Sequence, residues 1–146
     1  MAEVEPATGR AIVLNALSVT NVQDLDFGDL AAGTTAGTAT VNANTNVRTV
    51  SGGTVPVGGS PTAALFFAAG IVNRIIIVQI PVGSITLSNG TGGTMTVSNW
   101  TTNGPVSRNL GSTGVAVIRV GARLNVAANQ PEGDYSGTFN VTVIYP

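Results

Sequence analysis

The chain has 146 residues, of which only 9% are charged, and its net charge at pH 7 is −1. It contains no cysteine, no histidine and no lysine. This excludes disulfides, thiolate metal sites, histidine-bound metals and the commonest catalytic bases, so we expect no cofactor. The lack of a basic cluster argues against nucleic acid as a partner. Abundant valine, threonine, glycine and asparagine indicate strands joined by tight turns.

The first 16 residues are predicted to form an extension in front of a single folded domain, residues 17–146. Residues 1–6 are acidic and lack the apolar core of a signal peptide, so the expectation at this point is either an intracellular protein or the mature form of a secreted one. No run of 18 apolar residues occurs, so no transmembrane segment is predicted. The first apolar stretch, residues 11–20, is predicted to be a strand.

Alternation of apolar and polar residues predicts further strands along the chain. The predicted strands are residues 24–28, 38–42, 46–51, 62–69, 74–80, 85–88, 94–98, 115–126 and 135–145. Segments 62–69 and 74–80 are the most apolar and are expected to be buried on both faces. The asparagine and glycines of residues 89–93 predict a hairpin, and Gly121 predicts a bulge. Turn signals about every ten residues predict an antiparallel β-sandwich without helices.

The last predicted strand shows the clearest alternation. One face carries Tyr135, Phe139, Val141 and Val143, which are predicted to point into the core. Phe27, in an earlier alternating segment, is predicted to join the same core. The opposite face of the closing strand is polar, as expected for a strand with one solvent-exposed face.

The acidic residues Asp24, Asp26 and Asp29 are the best candidates for a binding site. Alternate residues of a strand share a face, so Asp24 and Asp26 could converge on a hard cation such as Ca²⁺. A Ca²⁺ site needs six or more oxygen ligands, and therefore a solvated turn is the preferred interpretation.

Other candidates for chemistry are weaker. Glu132 and Asp134 flank a glycine in a predicted turn, whereas a glycosidase needs two carboxyls at a set separation beside a cleft. The many serines and threonines lack a histidine or lysine to activate them. Trp100 is predicted to close the rim of the core, with an exposed sugar or partner contact as the alternative. The sequence therefore predicts a protein that is not an enzyme.

Two stretches near the ends of the chain together resemble a known group of proteins. They are LSVTNVQDLDFG at residues 17–28 and VGARLNVAANQPEGDYSGTFNVTVIY at residues 120–145, with RTVSGG at residues 48–53 between them. The L-x-F-G opening and the alternating closing strand resemble secreted bacterial pilin-like domains. These include the archaic chaperone–usher pilins with a spore-coat-protein-U-like domain. The chain lacks the cysteine pair that is common in that type, and it is closer to similar secreted domains that share the opening motif.

The resemblance implies an incomplete immunoglobulin-like β-sandwich that is completed by a donor strand from a neighbouring subunit. It implies a structural subunit of an extracellular pilus or fimbrial filament, a homopolymer that serves adhesion or biofilm formation. Secretion through the periplasm, with a periplasmic chaperone and an outer-membrane usher as partners, is implied as well. The alternative is a monomeric secreted module that binds a carbohydrate or a surface, and the two differ in whether the chain polymerises.

The donor strand is predicted within residues 7–15, where two alternating sets of side chains compete for the groove. The first set is Ala7, Gly9, Ala11 and Val13, and the second is Thr8, Arg10, Ile12 and Leu14. Burying Arg10 without a partner is costly, which favours the first set near Arg10. Ile12 and Leu14 are too apolar to remain in water and are expected to be covered by the same neighbour or by another subunit contact.

Overall fold

A computed structural model describes all 146 residues and contains twelve strands and no helix. Since helices are absent, no helical segment with the length and hydrophobicity to cross a membrane is found. The strands are β1 (Ser18–Gln23), β2 (Asp29–Ala31), β3 (Gly37–Val41), β4 (Arg48–Gly52), β5 (Val55–Gly58), β6 (Ala64–Ala69), β7 (Ile75–Gln79), β8 (Ile85–Ser88), β9 (Thr94–Thr102), β10 (Ser107–Asn109), β11 (Val115–Val126) and β12 (Thr142–Ile144).

The strands form an all-β, antiparallel, sandwich-like fold, as the sequence predicts. The larger sheet runs β1-β6-β11-β3-β4, and β9 pairs with β11 and carries β8. The smaller sheet has the order β10-β7-β12, and β2 pairs with β5 separately. Every pairing is antiparallel. The two edge strands β1 and β12, which belong to different sheets, approach each other.

The long strand β11 organises the larger sheet. Its first half pairs with β6 and its second half with β3, while β9 runs along the other edge of the second half. The ladder between β11 and β9 shifts register between Gly121 and Arg123, which confirms the predicted bulge. A bulge bends a strand, and here the bend lies between the halves that pair with β6 and with β3.

The hydrophobic core consists of two clusters that β11 connects. The first is built from Phe27, Ala39, Val41, Ala63, Val97, Ala122, Leu124 and Val126. The second is built from Ala64, Phe66, Ala68, Ile76, Val78, Leu110, Ile118 and Val120. Inward-facing residues of β11 alternate with outward-facing ones, so a single strand supplies side chains to both clusters. The half-buried Leu25 and Trp100 pack against both clusters and therefore lie where the two meet.

Three predicted strands differ clearly from the structure, and one of them, residues 24–28, forms no strand but only an isolated bridge between Asp26 and Thr62. Residues 11–17 of the first predicted strand lie outside β1, because pairing begins only where Ser18 meets Ala69 of β6. The closing segment, residues 135–145, is not one strand. It forms an isolated bridge between Ser136 and Ser88 and then joins β7 through β12, so the residues between have no strand beside them.

The expectation that two apolar segments are buried on both faces is wrong. In β6 and β7 buried residues alternate with more exposed ones. Phe67 and Ile75 point outward and keep 39% and 48% of their surface exposed. No layer of the protein covers the outer faces of the two sheets, so only inward-facing side chains are fully buried.

Arg108 covers the edge of β11 that lies opposite β6. Its guanidinium donates hydrogen bonds to the carbonyl oxygens of Val117 and Pro105, both at 2.9 Å, and to the side chains of Asn103 and Thr102. Burial lowers the pKa of this guanidinium from its ordinary value by desolvation. The arginine therefore serves the fold rather than an external partner.

The burial of Ile118 gives a matched prediction for stability. Ile118 is fully buried in the second cluster, whereas its neighbour Val117 is 41% exposed on the outer face. We expect Ile118→Ala to lower the free energy of unfolding by about 2–5 kcal/mol because it leaves a cavity. Val117→Ala should cost under about 1 kcal/mol, since an exposed side chain loses little burial. Urea denaturation of both variants checks this, and equal losses would contradict the core assignment.

Candidate functional site

An open cleft of about 1230 Å³ lies between the two ends of the folded domain. One wall is formed by residues 21–32, which run from β1 into β2. The other is formed by residues 129–139, which precede β12. The start of β1 and the end of β12 meet at one end of these walls, where Leu17 and the Tyr145 hydroxyl both lie beside Gly70. The first and last parts of the domain thus flank the cleft.

The floor of the cleft is apolar. It is formed by inward-facing side chains of β6, β9 and β11, among them Phe66, Val97, Leu124 and Val126. These residues also belong to the two core clusters, so the cleft opens directly onto the core. A cleft of this size exceeds the 300–1,000 Å³ of ordinary small-molecule pockets.

The wall formed by the closing segment has unpaired backbone. Residues 137–141 lie outside every strand, and none of the 17 backbone hydrogen bonds outside the strands involves them. β12 is an edge strand of its sheet, and β1 is an edge strand of the other. Unpaired backbone groups beside an apolar surface can pair with an added strand.

Phe139 stands at the centre of the closing segment and packs at the rim of the cleft. Its ring lies 4.8 Å from the ring of Trp100 and 6.3 Å from that of Phe66, centroid to centroid. The Trp100 indole N–H donates to the carbonyl oxygen of Gly83 at 2.8 Å, which fixes the ring. Trp100 therefore closes the rim of the core, as predicted.

Both walls are held in place by side chain to backbone hydrogen bonds. The Tyr135 hydroxyl donates to the Pro131 carbonyl at 2.6 Å, which closes the turn before the unpaired segment. On the other wall, one nitrogen of Arg48 donates to the carbonyl oxygens of Phe27 and Asp29 at 2.7 and 3.2 Å. These contacts shape the cleft without filling it.

The rim of the cleft is acidic. Five of the seven carboxylates of the chain lie along its two walls, namely Asp24, Asp26, Asp29, Glu132 and Asp134. No arginine lines the cleft. The carboxylate of Asp26 accepts a hydrogen bond from the Gly28 amide at 2.7 Å, which is a turn contact within its own wall. No group of three or more acidic side chains converges in a way that could hold a metal ion.

The predicted donor segment lies free of the fold. Residues 1–16 belong to no strand and are all exposed. Ile12, Val13 and Leu14 keep 71%, 95% and 58% of their surface exposed. No hydrogen bond joins this segment, hereafter the arm, to the rest of the chain. The other predicted donor residues, Ala7, Gly9 and Ala11, lie in the same exposed stretch.

The structure brings some predicted groove residues together and separates others. Phe27, Tyr135 and Phe139 line the cleft. Val141 and Val143 are half-buried and pack against the second core cluster instead. Sequence reasoning missed the floor, where β9 and β11 supply the apolar surface. The alternation along β11 was the available signal, but it did not indicate which inward-facing residues would border an open cleft.

Phe139 should contribute strongly to stability although it is only half-buried. We expect Phe139→Ala to lower the free energy of unfolding by about 2–3 kcal/mol, below the 3–5 kcal/mol of a fully buried phenylalanine, because its contacts lie on one side. Thr138→Ala, an exposed neighbour in the same unpaired segment, should change it by less than about 0.5 kcal/mol. Denaturation curves of the two variants measure the difference. A neutral Phe139→Ala would contradict the packing against Trp100.

A comparison with protein families gives one match. A family model described as a domain of unknown function, DUF4402, matches residues 17–145. The match spans all twelve strands and both walls of the cleft, and the arm lies outside it. No curated protein and no solved structure matches the chain. The chain therefore belongs to the DUF4402 family.

Proposed function

We propose that the chain is a structural subunit of an extracellular filament, in which the arm of one copy inserts as an added strand into the cleft of the next. The filament would serve adhesion or biofilm formation. This role needs no catalytic residue and no cofactor. The resemblance of residues 17–28 and 120–145 to secreted pilin-like domains supports the same function.

The observation that carries the proposal is the unpaired backbone of residues 137–141 beside an apolar cleft. Buried backbone groups are almost always paired, and edge strands are normally protected against pairing with other chains. Here the unpaired segment borders the apolar surface of the cleft, which continues into the core. An added strand would pair with this segment and cover the floor at the same time.

The arm has the properties of the missing strand. Its apolar side chains have nothing to pack against within their own subunit. Burying three or four of them would contribute on the order of 5–12 kcal/mol at about 1.5–3 kcal/mol each. Ordering the arm costs about 1–2 kcal/mol per residue, so backbone pairing with residues 137–141 must contribute as well.

A second observation favours the alternative function, a monomeric binding module. A depression of about 550 Å³ on the larger sheet is lined by uncharged polar side chains, including Thr38, Ser51, Thr96 and Asn125. Hydroxyl and amide groups of this kind can bind a neutral carbohydrate by hydrogen bonding. Such a module would not require the arm to insert into another subunit.

The state of the protein in solution separates the two functions. We expect the purified full chain to form filaments visible by electron microscopy, and a concentrated sample to sediment as polymers. A chain that remains monomeric at high concentration, with its arm exposed, would contradict the filament and favour the binding module.

A further inference from the structure

The charges of the arm and of the cleft are complementary. Arg10 is the only basic side chain among the first 47 residues, and it lies in the middle of the proposed donor segment. The cleft carries five carboxylates on its walls and no arginine. The other two carboxylates of the chain, Glu3 and Glu5, lie at the outer end of the arm. Opposite charges therefore lie on the two surfaces that the proposed function brings together.

The remaining arginines are not placed for this role. Arg48 and Arg108 are engaged with backbone carbonyls of their own subunit. Arg74 stacks on Tyr145, with its guanidinium carbon 5.6 Å from the ring centroid. Arg119 and Arg123 alternate with buried residues of β11 and so lie on its outward face. Among the arginines, only Arg10 is carried by a segment that can reach another subunit's cleft.

We propose that Arg10 of an inserted arm docks on the carboxylates at the rim of the neighbouring subunit's cleft and sets the register of the donor strand. This inference rests on the proposed function, because it assumes that the arm occupies the cleft. Arginine can bury its aliphatic stem against apolar surface while its charged group stays at the rim. Because the guanidinium stays at the rim, Arg10 need not be buried. The cost that favoured the set of Ala7, Gly9, Ala11 and Val13 is therefore avoided.

The same placement turns the larger apolar side chains of the arm toward the floor. Ile12 and Leu14 share a face with Arg10 in an extended strand. Half-buried apolar side chains of the cleft, such as Leu87 and Met95, can pack against Ile12 and Leu14, whereas the small side chains at positions 7, 9 and 11 would bury less apolar area. A shift of the strand register by one residue would turn Arg10, Ile12 and Leu14 away from the cleft. A longer slip toward the arm's outer end would bring Glu3 or Glu5 against the acidic rim, which like charges oppose.

Peptide binding tests the role of Arg10 separately from the insertion of the arm. The acceptor is the full-length chain carrying Ile12→Asp and Leu14→Asp, so that its own arm does not compete. The probe is a fluorescent peptide of residues 7–16, either unchanged or with Arg10→Gln or Arg10→Lys. At about 0.05 M salt we expect Arg10→Gln to weaken binding roughly 5- to 20-fold and Arg10→Lys by less than about threefold.

Salt and the acceptor's rim provide the confirming measurements. At about 1 M salt, where the screening length is only about 3 Å, the difference between the unchanged and Arg10→Gln peptides should fall below about twofold. An acceptor with Asp24→Asn, Asp29→Asn, Glu132→Gln and Asp134→Asn should bind the two peptides equally at low salt. Equal binding of both peptides to the unaltered rim at low salt would overturn the role of Arg10 and leave the filament standing. If the unchanged peptide does not bind at all, the insertion of the arm is itself wrong.

Discussion

Replacing Gly121 by alanine is expected to lower the free energy of unfolding by roughly 3 kcal/mol or more. A Cβ atom at this position would clash with the carbonyl oxygen of Val41 and lie 2.8 Å from the amide nitrogen of Ala43. Both are backbone atoms of the segment that pairs with β11, so no side chain can move aside. Strand β11 would have to shift at the bulge, where its pairing changes from β6 to β3.

Gly83→Ala is the matched control for this variant. Nothing lies within 4 Å of a Cβ atom at Gly83, and its backbone has no left-handed conformation. We expect Gly83→Ala to change stability by less than about 1 kcal/mol. Thermal unfolding of the two variants under one set of conditions measures the difference. A Gly121→Ala protein as stable as the control would show that β11 does not pass this close to β3.

The combined variant Ile12→Asp and Leu14→Asp is expected to abolish polymerisation. Each change removes an apolar side chain whose burial contributes about 1.5–3 kcal/mol and introduces a charge that is costly to bury. The folded domain should keep its stability, because both residues are exposed and belong to no strand. Electron microscopy and sedimentation measure assembly, and denaturation measures the stability of the domain.

Val4→Asp is the control for the arm. Val4 is also apolar and 87% exposed, but it lies outside the proposed donor segment. We expect Val4→Asp to assemble like the unchanged protein. If it blocks assembly as strongly as the combined variant, added charge anywhere in the arm is the cause and the donor segment is misplaced. If the combined variant still forms filaments, the arm is not the donor strand.

The fold class could be predicted because most strands carry their own local signal. The 115–126 strand and its bulge at Gly121, and the hairpin around Asn89, are confirmed. In that hairpin the Asn89 side chain accepts hydrogen bonds from the amides of Thr91 and Gly93, so the turn chemistry is local as well. The short strands β2, β5 and β10 were missed, because three or four residues are too few to show an alternating pattern unless a hairpin signal adjoins them, as it does at β8.

The candidate site could be predicted only in part because it depends on which elements lack neighbours. Alternation in the closing segment indicates an inner face, formed by Tyr135, Phe139, Val141 and Val143. It cannot show that the segment contacts β8 at Ser136, joins β7 from Thr142 onward, and leaves the backbone of residues 137–141 unpaired. The apolar residues 11–14 show a strand signal as clear as that of the closing segment, although their own subunit provides no strand to pair with them. Pairing is a property of the tertiary arrangement, and it decides whether an apolar segment becomes a strand.

In the proposed filament the unpaired segment, residues 137–141, accepts the arm of another copy as a strand. Amide hydrogen exchange of the full-length Ile12→Asp and Leu14→Asp chain, with and without the peptide of residues 7–16, tests this most directly. We expect the amides of residues 137–141 to exchange rapidly in the free protein and at least about tenfold more slowly with the peptide bound. Protection that appears elsewhere while residues 137–141 continue to exchange rapidly would contradict the addition of a strand at this segment.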